Sequence, residues 1–95
     1  MEGTFIFVCD RGHVIVGDAT ISNEIGLHWH LKVSQTIRTW GTTKGLAELK
    51  NGPIEGSTVL DEVCERHLPF RSVIDIIHVT KEGENKWKAS LYGKK

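Results

Sequence analysis

Neither sign of charge prevails in this chain. Twelve lysines and arginines balance twelve aspartates and glutamates, for a formal net charge of +0. Proteins that grip duplex nucleic acid draw most of their affinity from phosphate contacts and carry a basic excess. Duplex nucleic acid is therefore not an expected partner, although a local basic pocket for one small anion is compatible with the balance. A chain without net charge also lacks self-repulsion, and a homo-oligomer is expected on that ground. Cysteine is scarce, with only Cys9 and Cys64. Two cysteines in a cytosolic chain are expected to be reduced and buried rather than bridged. No apolar run is long enough to cross a bilayer, so no membrane contact is expected. Met1-Glu2-Gly3-Thr4 has neither a basic n-region nor a cleavage site, and the expected location is the cytoplasm. The chain also lacks a Ser-centred elbow and a Cys-protease signature, and its carboxylates are scattered. Catalysis is not expected, and no cofactor is assigned.

What the chain has is β-forming sequence. At 95 residues it fits one domain, residues 1–95, around a single core. Thr4 to Cys9 is a run of β-formers apolar on both faces, which predicts a central strand. Asp10-Arg11-Gly12 reads as a tight turn, and His13 to Ile21 as the second arm of a hairpin, with Gly17-Asp18 marking a bulge. After a polar turn at Ser22-Asn23-Glu24, Leu27, Trp29, Leu31 and Val33 alternate with His28, His30, Lys32 and Ser34. That period of two predicts one buried and one wet face, with the histidines on the wet one. Gln35 to Trp40 continues extended. Thr42 or Thr43 is a candidate N-cap for a short helix carrying Leu46 and Leu49, ended by Gly52-Pro53. Residues 57–67 read equally as helix or strand, and Leu68-Pro69 ends the segment. Ser72 to Thr80 predicts a strand. Glu82-Gly83-Glu84-Asn85 predicts a turn before a last strand, Lys86 to Tyr92, with Trp87, Ala89 and Leu91 on one side; Lys94-Lys95 is a frayed tail. The sum is an α+β domain, a small mainly antiparallel β-sheet of about five or six strands with one short helix.

The densest chemistry lies at Trp40-Gly41-Thr42-Thr43-Lys44-Gly45-Leu46. A helix start presents unpaired N–H groups and the positive end of a dipole, both of which attract anions. Glycines let a ligand approach the backbone, Thr42 and Thr43 offer hydroxyls, and Lys44 adds a point charge. Arg38 can supply a bidentate fork, and Trp40 can stack on a base. The G-x-x-x-x-G-K-[ST] order of a Walker A loop is absent, so triphosphate hydrolysis is unsupported. The segment predicts a nucleotide-like small-molecule ligand. Its alternative is an ordinary capped helix with Trp40 in the core. Phe70-Arg71 can clamp a ring and a phosphate from another side; alternatively Phe70 is core and Arg71 solvated. His28 and His30 share a strand face and can line such a pocket. The pairs Cys9/His13, His28/His30 and Cys64/His67 match no established zinc spacing, and no metal is assigned.

Ile37-Arg38-Thr39-Trp40-Gly41-Thr42-Thr43-Lys44-Gly45-Leu46-Ala47-Glu48, then Gly52-Pro53, then Thr58-Val59-Leu60-Asp61 resemble a group of small uncharacterised phage and prophage proteins. Their pattern is I-R-x-W-G-T-T-x-G-L-G-E, then G-P, then T-x-L-D. Arg11-Gly12-His13-Val14-Ile15-Val16-Gly17 is similar to the R-G-W-V-x-V-G start of that group. The chain departs at Ala47, at His13 and at Cys64-Glu65-Arg66, where the group carries glycine, tryptophan and a glycine-containing turn. The resemblance implies a phage gene and no particular activity. In size and layout the chain is more distantly similar to phage proteins that sequester immune signalling nucleotides, such as the Thoeris anti-defence type. That similarity implies a non-enzymatic protein that binds a cyclic or modified nucleotide in the infected cell and withholds it. A structural or regulatory phage protein acting through a sheet edge, or a small nucleotide-processing enzyme, are the alternatives.

Overall fold

A computed structural model describes residues 2–23, 26–43 and 45–93, with the backbone alone for residues 2 and 90–93. The chain runs through β1 (Glu2–Cys9), β2 (Val14–Ser22), β3 (His28–Thr39), β4 (Val59–Leu60), β5 (Cys64–Pro69), β6 (Val73–His78) and a closing helix, α1 (Lys81–Gly93). The fold is α+β: a six-stranded, wholly antiparallel sheet and one helix. The strand order is β4-β3-β2-β1-β6, with β5 also paired to β3. β4 holds the distal half of β3 through Ile37 and Thr39, while β5 holds the proximal half from His28 to Ser34.

The β1–β2 hairpin turns through Asp10–Gly12, where Arg11 takes a left-handed φ of 66°. The bulge expected at Gly17-Asp18 appears as a register shift between Asp18 and Ala19 against β3. Gly17 is required there, because a Cβ would lie 2.8 Å from the Val33 carbonyl oxygen.

The sheet cannot be flat. Val73 pairs with Cys9 at one end of β1, whereas Pro69 pairs with His28, itself opposite Ser22 at the far end of β2. On a flat sheet those corners would lie about 30 Å apart. Only Phe70–Ser72 joins them, a path of at most about 14 Å. The sheet therefore coils diagonally, with the stagger of a partly closed barrel. Its concave face holds Phe5, Phe7, Cys9, Ile15, Ala19, Trp29 and Leu31. Phe7 and Trp29, from strands separated by β2, bring their ring centroids to 5.3 Å. The convex face buries Ile6, Val14, Val16 and Ile37 under Leu49 and Trp87.

Several expectations need correction. The last strand, Lys86 to Tyr92, is helix α1, and the predicted turn at 82–85 is its first turn. Thr80 starts it, its Oγ1 accepting the Gly83 N–H at 3.0 Å, and Glu82–Lys86 and Glu84–Lys88 pair along its surface at i,i+4. It packs through Gly83, where a Cβ would fall 2.0 Å from the Lys50 carbonyl oxygen. The fully buried Trp87 donates its indole N–H to Leu49 O at 2.8 Å. The short helix expected after Thr42 or Thr43 is a 3-10 helix, Leu46–Asn51; Gly45, at φ 100°, precedes it, and no side chain caps it. Residues 57–67 resolve into β4 and the start of β5. Cys9 is buried and Cys64 exposed, and both are free. Leu27, expected in the core, is exposed, and His28, expected on the wet face, is buried. Glu24 and the tail at 94–95 lie outside the described residues.

Candidate functional site

The sequence-predicted site residues fall in three places rather than one. Arg38, Trp40, Gly41, Thr42 and Thr43 lie at the distal end of β3 and just beyond it; Lys44 lies outside the described residues. Much of this segment has internal partners. Arg38 Nη2 sits 2.6 Å from Asp61 Oδ1. Gly41 has φ 73°, and a Cβ there would lie 2.6 Å from Ser57, so this glycine serves close backbone packing. Thr58 ties the loop together, donating from Oγ1 to Trp40 O and accepting from Ile54 N–H, both at 2.7 Å. The Thr43 N–H donates to Glu48 Oε1 at 2.9 Å. A carboxylate of the chain itself thus occupies an amide that the anion-site expectation leaves open. Trp40, by contrast, is 41% exposed, and Arg38 is exposed beside its partner.

Phe70 and Arg71 lie in the short connection between β5 and β6. Phe70 packs on Trp29 with centroids 5.6 Å apart, and Arg71 points to solvent. An apolar recess of about 460 Å³ opens here between Ile21, Trp29, Phe70, Val73, Ile74 and Ile76.

The third place is the proximal half of β3, where β5 adds Glu65, which sequence reading leaves out, and His67, which it pairs only with Cys64. His30 pairs directly with His67 across the strands, and His28 lies opposite Pro69. His28, His30, Glu65 and His67 are linked into one array. The His30 and His67 rings stack at 4.4 Å, within 3° of parallel. His30 Nε2 lies 2.6 Å from Glu65 Oε2, and His28 Nε2 lies 2.8 Å from His67 Nδ1. The hydrogen bond from His30 holds the exposed Glu65 carboxyl below its usual range, with smaller electrostatic help from the His30, His67 and Lys32 side chains. His28 is buried because it reaches in two directions, to His67 and to Gly26 O at 2.6 Å. Beside His30 a second recess, of about 580 Å³, lies between the sheet and α1; Thr20, Lys32 and Lys88 line it with Asp18. Asp18 already accepts the Thr4 hydroxyl at 2.6 Å. Neither recess is lined by Arg38, Trp40, Gly41, Thr42 or Thr43.

Glu65 was missed, and His67, considered only in a pair with Cys64, was not assigned to a site; both carried a faint signal. Glu65 and His67 alternate with Arg66 and Leu68, at the same period of two as His28 and His30. Nothing in the sequence marks which strand those residues would face.

No protein-family model, curated protein or solved structure matches this chain.

Proposed function

We propose that this protein binds a small phosphate-bearing ligand with a flat ring, a nucleotide above all, and holds it without turnover. The observation that carries this reading is the recess beside α1, where Lys32, His30 and Lys88, the last also paired with Glu84, outnumber the Asp18 carboxylate around a space of about 580 Å³. That volume falls within the roughly 300–1,000 Å³ typical of small-molecule sites. The two ammonium groups suit phosphate as point charges, and Thr20 adds a hydroxyl. The exposed Trp40 and Arg38 sit elsewhere and contribute a stacking ring and a cationic fork to the same ligand across a homo-oligomer contact. Taken with the resemblance to phage proteins, the ligand is a cyclic or modified nucleotide signal of bacterial anti-phage defence. The protein is then phage-encoded, acts in the cytoplasm of the infected cell, and withholds the signal from its effector. Withholding needs tight binding and no chemistry.

Thermal-shift titration against cyclic dinucleotides, cyclic trinucleotides and ADP-ribose derivatives tests this. A bound ligand at a hundred times its Kd adds about 2.7 kcal/mol, which raises the melting temperature of a chain this size by about 10 °C or more. The expected result is such a shift with one class, reduced in Lys32→Ala and Lys88→Ala, with the ligand recovered intact after heating. No shift with any of them removes the reading, and recovery of a cleaved product replaces sequestration with catalysis.

One observation favours a second reading, a regulatory or structural protein acting through a sheet edge. Among the described residues β6 pairs with β1 on one side only, and Ile74 on it is 69% exposed beside the apolar recess at Phe70. An open apolar edge is a docking surface for another strand. Absence of any nucleotide shift, together with a change of oligomeric state in Ile74→Lys, would favour it.

A further inference from the structure

The array on β3 and β5 has the composition of a metal site. One ligand atom each from His30, Glu65 and His67 lies within 4.8 Å of the others. A tetrahedral zinc site with bonds of about 2.0–2.1 Å sets its ligand atoms about 3.3 Å apart. Closing the difference takes small rotations of side chains, which falls to the exposed Glu65 more than to His67, held by His28 and stacked on His30.

Proton bookkeeping along the array points the same way. A backbone carbonyl can only accept, so His28 Nδ1, 2.6 Å from Gly26 O, carries a hydrogen. With neutral rings, His28 Nε2 is then an acceptor, and His67 Nδ1–H donates to it at 2.8 Å. The relay from Gly26 O through His28 fixes the tautomer of His67 and leaves its Nε2 lone pair unprotonated. A buried partner that fixes the tautomer of a histidine in this way is the usual outer support of a metal ligand. His28 fits that part by burial as well as by bonding. Glu65 Oε2 accepts from His30 Nε2, so His30 becomes a ligand through that nitrogen only once the hydrogen moves to Nδ1, the other tautomer of the neutral ring.

We infer that His30, Glu65 and His67 form a binding site for a divalent transition ion of the zinc class, with His28 as the residue that positions His67. Two imidazole donors select zinc, nickel, cobalt or copper over calcium and magnesium, a choice that the carboxylate alone would not make. Three protein ligands leave at least one coordination position open on the solvent side. His30 borders both the recess and this array, but Glu65 and His67 do not line the recess, so their variants test the metal site apart from the nucleotide reading.

The test is calorimetric titration of the tag-free protein with ZnCl2, together with the visible d–d absorption of added Co2+. The expected result is one ion per chain, with Co2+ bands of a four- or five-coordinate site. Glu65→Gln and His67→Ala should each weaken binding about 100-fold or more, and His28→Gln about 10-fold, the range over which outer partners act. His13→Ala and Cys64→Ser should leave it unchanged. Glu65 and His67 are exposed, so their variants are expected to keep the far-ultraviolet circular dichroism of the parent and report on the site rather than on folding. Absence of binding below millimolar Zn2+ overturns the inference. So does stoichiometric binding that Glu65→Gln and His67→Ala leave intact.

Discussion

Single side chains in this protein are set by what the coiled sheet does around them. Cys9 and Cys64 began as equivalent expectations and ended in opposite environments. Cys9 lies in the concave core, where burial, and then the neighbouring Asp10 carboxylate, push its thiol up from 9.0, against a smaller opposing pull from Arg66. The folded state thus holds this proton more tightly than the unfolded chain does. The stability linked to it is complete below the unfolded value and is lost as pH rises through it toward the higher folded value. Urea midpoints measured at about pH 8 and about pH 10 should fall further in the parent than in Cys9→Ala. An equal fall in both would remove the assignment. His28 carries the same lesson. Its alternation with Trp29 marked it as wet, and that pattern is correct for β3 alone. β5 then pairs beside β3 and supplies His67 as a partner that buries His28, and a pairing between distant segments leaves no mark in local periodicity.

At the scale of elements, the hairpin β1–β2, the bulge at Asp18 and the long β3 were legible because they rest on local pattern: β-branched runs, a turn triplet and a strict alternation. α1 was not, and the reason is physical. The helix buries Gly83 and Trp87, four residues apart, against the Leu46–Asn51 turn. A glycine used as a contact surface adds nothing to an apolar stripe, so the helical period vanished and the Trp87, Ala89, Leu91 alternation stood in its place. The helix had other marks: Thr80 three residues before Gly83, and two Glu-to-Lys pairs at i,i+4. The candidate site divides the same way. Trp40 and Arg38 could be picked out as surface chemistry, whereas Glu65 and His67 needed the β3–β5 register. Thr80 also bonds back to the 3-10 helix, its N–H donating to Lys50 O at 2.9 Å. Thr80→Ala removes the cap and should cost about 1–2 kcal/mol. Circular dichroism melts read that loss directly, and an unchanged midpoint would mean that Trp87 alone holds α1 in place.

Across the whole molecule, the first and the last strands are neighbours, and every strand pairing is antiparallel. The radius of gyration, 12.4 Å, is that of one compact domain of this length, about 12 Å. Pairing β6 with β1, from Cys9–Val73 to Phe5–His78, closes a loop of about two thirds of the chain before it yields any contact energy. Refolding from urea should therefore fall in the range of milliseconds to seconds typical of sheet-dominated topologies, slower than helical bundles of equal size. Stopped-flow tryptophan fluorescence measures this, and microsecond refolding would contradict the long-range closure. β3 imposes one more consequence, through its length. From His30 to its end at Thr39, just before Trp40, the strand advances about 30 Å, while a compact ligand of several hundred cubic ångströms is about 8–10 Å across. Within one chain the histidine end and the tryptophan end are out of each other's reach, like the two ends of a ruler laid beside a coin. Any small molecule gripped by both must be held by two chains, and the stoichiometry of capture would then be written in the length of a single strand.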